Sequence, residues 1–152
     1  MKKKLFLVII CGLTINIFSQ TKIVDKKEKR NSITIGILQG GGSIVGADFE
    51  ILMTERFGFQ VGAGLVGFGG GFNYHFRPSI RSSFISLQYW NQGIGASFAQ
   101  NLVVSNFVYR GKKWFTFQIG LGVPLSKGPG LPVDFKQPPV MLTYSVGAYI
   151  PL

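Results

Sequence analysis

The sequence predicts an all-β fold: an eight-stranded antiparallel up-and-down transmembrane β-barrel, preceded by a signal peptide. Three observations predict it. The segment FGFQVGAGL at 57–65 alternates strictly, with Phe57, Phe59, Val61, Ala63 and Leu65 on one parity and Gly58, Gln60, Gly62 and Gly64 on the other. That is the signature of a strand with two different faces, and the pattern recurs about eight times before Leu152. The polar parity carries Gly, Ser, Thr, Asn and Gln and almost no charge, which suits a narrow lumen behind a lipid-facing wall better than a face open to water. Finally, charged residues make up only 14% of the chain, against roughly 25% in ordinary globular proteins, and mean hydropathy is +0.29. No run of about 18 apolar residues offers a spanning helix. A closed sheet is then the remaining way to satisfy every backbone group in lipid.

The elements follow in order. Residues 1–19 read as a signal peptide: Lys2, Lys3 and Lys4 form a basic start, Leu5 to Phe18 an apolar core, and Ser19 a small residue at the cleavage site. The mature chain is expected to begin near Gln20 or Thr21. Cys11 lies inside the apolar core behind Ile10, which is not the small residue that lipoprotein acylation requires. Removal of the signal leaves no cysteine, hence no disulfide, thiolate metal site or thiol nucleophile. Residues 20–31 form a flexible polar lead, and residues 32–152 the barrel. The formal charge of +10 falls to +7 without the three signal lysines, thirteen Lys and Arg against six acids. Much of it sits in Lys22–Arg30 and in tight turns, not in a basic groove with interleaved aromatics, so nucleic acid is not an expected partner.

Eight strands are predicted near 32–40, 44–53, 57–66, 71–76, 83–90, 102–109, 114–123 and 140–150, the fourth short and able to extend into Gly69–Gly71. Several reach the nine to eleven residues that a tilted strand needs to cross a bilayer. The connections alternate. Thr54-Glu55-Arg56, Arg77–Ser82 and Arg110–Lys113 are compact and basic, whereas the others are longer or glycine-rich, ending with Asn91–Asn101 and Ser126–Pro139. Short turns at one end, longer loops at the other and an even strand count are the bookkeeping of an outer-membrane barrel. All seven prolines fall at strand ends or in loops, where a missing N–H is harmless. Phe57, Phe76, Tyr109, Trp114 and Phe115 flank the short turns, where an interfacial aromatic girdle belongs.

Over residues 32–152 the chain resembles the small eight-stranded outer-membrane barrels of the OmpA/OmpX type, in particular short proteins made of a signal peptide and a barrel. The likeness rests on TERFGFQVGAGLV, a tight turn and an alternating strand, and on the terminal strand LTYSVGAYIPL. It implies an architecture and a bacterial outer-membrane location, but no particular activity. Such barrels often end on an aromatic residue, whereas this chain ends Tyr149-Ile150-Pro151-Leu152.

Few constellations carry chemistry. Gly62-Ala63-Gly64-Leu65-Val66-Gly67 spells GxGxxG, but no helix opens behind it and Arg81–Leu87 supplies no acid, so dinucleotide binding is not expected. Inward glycines instead make room for Trp90 or Gln88 opposite, in a lumen just wide enough for side chains. Asp48 and Glu50 are the only acids within a strand, and both take the inward parity. Neighbouring carboxylates can divide acid and base roles. The favoured reading is that they are ion-paired or hydrogen-bonded inside a plugged lumen, with Arg81, Arg110, His75 or Gln60 as partners. Together with Asn73, His75, Gln88 and Gln118, they form the expected lumen network: Asp48, Glu50, Gln60, Asn73, His75, Gln88 and Gln118. His75 is the sole histidine, too few for a metal site, and Arg77 stands where a lipid A deacylase of this barrel size would carry its serine. The loop SKGPGLPVDFKQPP is stiffened by proline and offers Lys127, Leu131, Asp134, Phe135 and Lys136 as contact residues.

The expected function is that of a monomeric, non-enzymatic outer-membrane barrel with a filled lumen, acting as a scaffold or as a partner- or surface-contact protein, without cofactor or metal. Its partners would be outer-membrane lipid and an outer-membrane or periplasmic protein. A lipid A- or phospholipid-modifying enzyme would need Asp48, Glu50 or His75 clustered and open to solvent. A soluble secreted barrel binding a small apolar ligand is the third reading.

Overall fold

The computed structural model describes residues 29–93, 98–132 and 134–152. The expected signal peptide and most of the polar lead lie outside the described residues. Eight strands follow one another as β1 (Asn31–Ile37), β2 (Val45–Leu52), β3 (Phe57–Gly64), β4 (Gly67–His75), β5 (Phe84–Gln92), β6 (Gln100–Arg110), β7 (Phe115–Lys127) and β8 (Met141–Pro151). Every neighbour is antiparallel, and β8 pairs back onto β1, from Ser32↔Pro151 to Ile37↔Val146, so that the sheet is a closed barrel without a free edge. Closure satisfies the ladder groups that an open sheet would leave bare at its edges.

Period-two alternation decides the two faces. Along β2, Gly46, Asp48, Glu50 and Leu52 point inward, while Val45, Phe49 and Ile51 are exposed. Along β5, Phe84, Ser86, Gln88 and Trp90 are buried, with Ile85, Leu87 and Tyr89 outside. Among the described residues the interior is mostly polar. Nineteen polar or charged side chains are buried against eight hydrophobic ones. The wall is the reverse, an apolar belt of Ile, Leu, Val, Phe and Tyr, reinforced by cross-strand ring pairs such as Phe57 with Tyr74 and Phe59 with Phe72.

The strand boundaries differ from the sequence reading in instructive places. β4 begins at Gly67, four residues before the expected Gly71, because ladder hydrogen bonds use the backbone and pair this glycine run with β3 and β5 despite its poor strand propensity. β1 stops at Ile37 instead of residue 40. Leu38 has φ 59°, and Gly40, Gly41 and Gly42 all have positive φ, a run that turns the chain inward. At the same end β5 continues to Gln92 and β6 starts at Gln100, while β7 reaches Lys127 past a register shift at Asn101/Leu102. Lys127 therefore closes a strand and does not open the loop. Trp114 precedes β7 and belongs to the turn. The two ends of the barrel are thus distinct. Both strand termini and the turns at 53–56, 76–83 and 111–114 gather at a turn end, and the longer connections lie at a loop end.

Candidate functional site

The lumen is the site that the fold builds, and its centre of charge is Glu50. From β2, its carboxylate collects four donors. Oε1 accepts from Asn73 Nδ2 at 2.5 Å and from His75 Nε2 at 2.8 Å. Oε2 accepts from Arg110 Nη2 at 2.7 Å and from Ser32 Oγ at 3.3 Å. A carboxylate has about four lone-pair directions, so this one is saturated. Because a carboxylate only accepts here, the His75 ring proton at this contact sits on Nε2. Asn73 also donates to Gln60 Oε1 at 2.9 Å, which ties β3 and β4 to the same cluster.

Arg110 crosses the barrel to meet Glu50. β2 and β6 are four strands apart in a closed ring of eight, so the ion pair spans the lumen as a transverse brace. Its guanidinium lies between two rings, 4.9 Å from the Phe84 centroid and 4.8 Å from that of Tyr149. This sandwich suits a planar, weakly hydrated cation. Nη1 donates to the Ile80 carbonyl and Nη2 also to Ser32 Oγ at 3.0 Å. His75 stacks on the other side of the cluster, its ring 4.6 Å from Phe84. Ile80 turns inward from the β4–β5 connection and is 2% exposed. With Leu52, Phe84 and Tyr149 it seals the turn end of the lumen, and Tyr149 Oη donates to the Gly111 carbonyl at 2.5 Å.

The loop end is filled differently. The chain between β1 and β2 folds into the mouth, where Gln39 and Ser43 are buried. Gly40 N–H donates to Asp48 Oδ2 at 3.3 Å, and Val66 N–H to Ser43 Oγ at 2.9 Å. Gly41 lies against the Phe68–Gly69 backbone and Gly42 against the Trp90 ring. A side chain at Gly62 would strike the Asp48 carboxylate, and one at Gly69 would strike both Trp90 and Gly41. The glycines thus make room for Trp90, as expected, and also for the inturned loop, which the sequence reading missed. Above them Gln137 donates to Gln100 and Gln100 to Gln92, each at 2.7 Å. Trp90, Leu102 and Val104, with Met141 against them, make one side of the lumen apolar.

All seven expected lumen residues are buried inside the barrel, but they do not form one network. Glu50, Gln60, Asn73 and His75 come together. Asp48 joins them through a side-chain hydrogen bond with Gln60 and also holds the inturned loop. Gln88 accepts from Trp90 Nε1 at 2.7 Å, and Gln118 lies opposite Ser145 on β8. Of the proposed charge partners, Arg110 and His75 reach Glu50, whereas Arg81 is exposed in a turn because Ile80 is the residue that points inward there. Ser32, Phe84, Ile80 and Tyr149 complete the cluster, and no motif in the sequence marks them. In the final loop, Lys127 Nζ donates to the carbonyls of Pro132 at 2.7 Å and Phe135 at 3.0 Å, pinning the excursion. Asp134, Phe135 and Lys136 are exposed and Leu131 is half-buried. Chemically, the Glu50–His75–Arg110 cluster is a buried ion-pair assembly packed against aromatic rings, in which the Glu50 carboxylate is saturated while His75 Nδ1 and Arg110 Nε have no hydrogen-bond partner among the described residues. Among the described residues no three His, Cys, Asp or Glu side chains group as metal ligands. Family models, curated proteins and solved structures provide no match to this chain.

Proposed function

We propose that the chain is an integral outer-membrane β-barrel protein with a filled lumen, serving as a scaffold or as a contact surface for a partner. One observation carries this reading: the barrel is inside out relative to a water-soluble one. Leu87, Leu121 and Leu142 are more than half exposed on the wall, while Asp48, Glu50, His75 and Arg110 are all buried in the lumen. In water such a belt would far exceed the few hundred Å² of contiguous apolar surface that soluble monomers tolerate. In a bilayer it is the solvent-matched face.

The filling of the lumen favours a scaffold over a pore. The turn end is sealed by Ile80, Leu52, Phe84 and Tyr149 and braced by Arg110, and the mouth holds the 38–44 loop. The burial and full coordination of Glu50, with His75 at 0% exposure beside it, speak for a structural role of the only acid–histidine pair among the described residues. Fractionation and gel mobility test the reading. The protein is expected in the outer membrane, migrating faster unheated than boiled. Recovery from the periplasm as a soluble monomer would sink it.

A further inference from the structure

The charge that remains outside the lumen is segregated to one rim. At the turn end, Lys29 and Arg30 lead into β1, Arg56 sits between β2 and β3, Arg77 and Arg81 between β4 and β5, and Lys112 and Lys113 between β6 and β7. All seven are exposed, and among the described residues of this rim Glu55 is the single acid. The described part of the loop end carries Lys127 and Lys136 against Asp134. Because these segments alternate around a closed ring, cations occur all the way round the turn end rather than on one side. Directly behind them stands an aromatic girdle of exposed Phe57, Tyr74, Phe76, Tyr109 and Trp114.

We infer that this rim is a binding surface for anionic phospholipid headgroups, which its cations hold by their phosphates while the girdle rests at the acyl boundary. The inference rests on the membrane-spanning reading above. Aromatic rings set the depth of an interface. Lys and Arg placed at that depth draw acidic lipid toward them, each adding to the attraction within a Debye length of the surface. Within an eight-stranded barrel the basic turns share one rim, where like charges repel, and Glu55 is the only acid among the described rim residues to offset them. A leaflet enriched in acidic lipid supplies the remaining counter-charge.

The two tryptophans make the test direct. Trp114 is 60% exposed at the rim, whereas Trp90 is 3% exposed inside the lumen, so lipid-borne quenchers reach the first and not the second. The full chain is reconstituted into phosphatidylcholine vesicles containing brominated phosphatidylglycerol or the same fraction of brominated phosphatidylcholine, with a Trp114→Phe variant isolating the rim signal. Quenching of Trp114 is expected to be at least about twofold stronger with the anionic lipid, and the preference is expected to vanish in 1 M salt, where the Debye length falls to about 3 Å. Lys112→Glu with Lys113→Glu, on a chain whose heat-modifiable mobility shows that it is folded, should weaken the preference, and a preference unchanged by this pair would overturn the inference. Equal quenching by both lipids would overturn the inference while leaving the barrel in the membrane. Quenching by neither would remove the membrane reading and the inference together.

Discussion

Arg110 is the residue on which most of the lumen depends. Removing it leaves Glu50 buried with a charge and no cation. An uncompensated buried charge costs about 3–5 kcal/mol, and that is the destabilisation expected for Arg110→Ala. Pairing Arg110→Met with Glu50→Gln removes both charges while keeping the Asn73 and His75 hydrogen-bond partners, and is expected to recover most of the loss. Urea midpoints of the wild type and the two variants in the same lipid measure it. The sequence revealed half of this cluster. Glu50, Asn73, His75 and Gln60 stand on strands whose two parities differ sharply, so their direction was readable. β6 is apolar on both parities, with Leu102, Val104 and Val108 inside and Val103, Phe107 and Tyr109 outside, and hydrophobicity alone could not show that Arg110 ends on the inward side. Phe84 and Tyr149 hid for the same reason: an aromatic beside a strand end looks like part of a girdle.

At the scale of elements, the inturned β1–β2 connection and the glycine-rich start of β4 form one unit. A methyl at Gly69 would press first on the Trp90 ring and the Tyr89 carbonyl and then on Gly41 Cα, and Trp90 itself packs against Gly42 of the loop. Gly69→Ala is therefore expected to push the loop outward at about 1–3 kcal/mol, the usual cost of overpacking. Faster amide exchange at Gly40 and Ser43, whose N–H groups are bonded to Asp48 and to the Gln39 carbonyl, would report it. Gly70→Ala, one residue along on the outward parity, should leave both amides protected. This coupling was invisible in the sequence. Glycine shows that space is needed but not what fills it, and a loop that enters a lumen carries the same turn residues as one that stands in solvent. The strands themselves were legible, to within a few residues at most ends, because alternation and turn chemistry agreed over their length.

For the whole molecule, the apolar belt distinguishes lipid from water. Leu121 lies in the middle of β7 with 56% of its surface exposed. Leu121→Lys is expected to cost about 2–4 kcal/mol in a bilayer, where a cation near the midplane is poorly tolerated. Refolding into vesicles under urea measures it. For a barrel in water the same substitution would be neutral and would improve solubility, so the sign of the effect identifies the solvent. The number of strands, their antiparallel order and the inside-out polarity were all readable from alternation and connection lengths. Closure was readable only as a consequence, since no residue pattern states that β8 meets β1.

That meeting also has a consequence in time. Ser32 pairs with Pro151 and Ile37 with Val146, so the first strand made waits for the last one before either has its final neighbour. Contacts this distant along the chain are slow to form. Until they form, β1 and β8 each present an unpaired edge able to recruit other chains. The ring is complete only once its final eleven-residue strand has met the first.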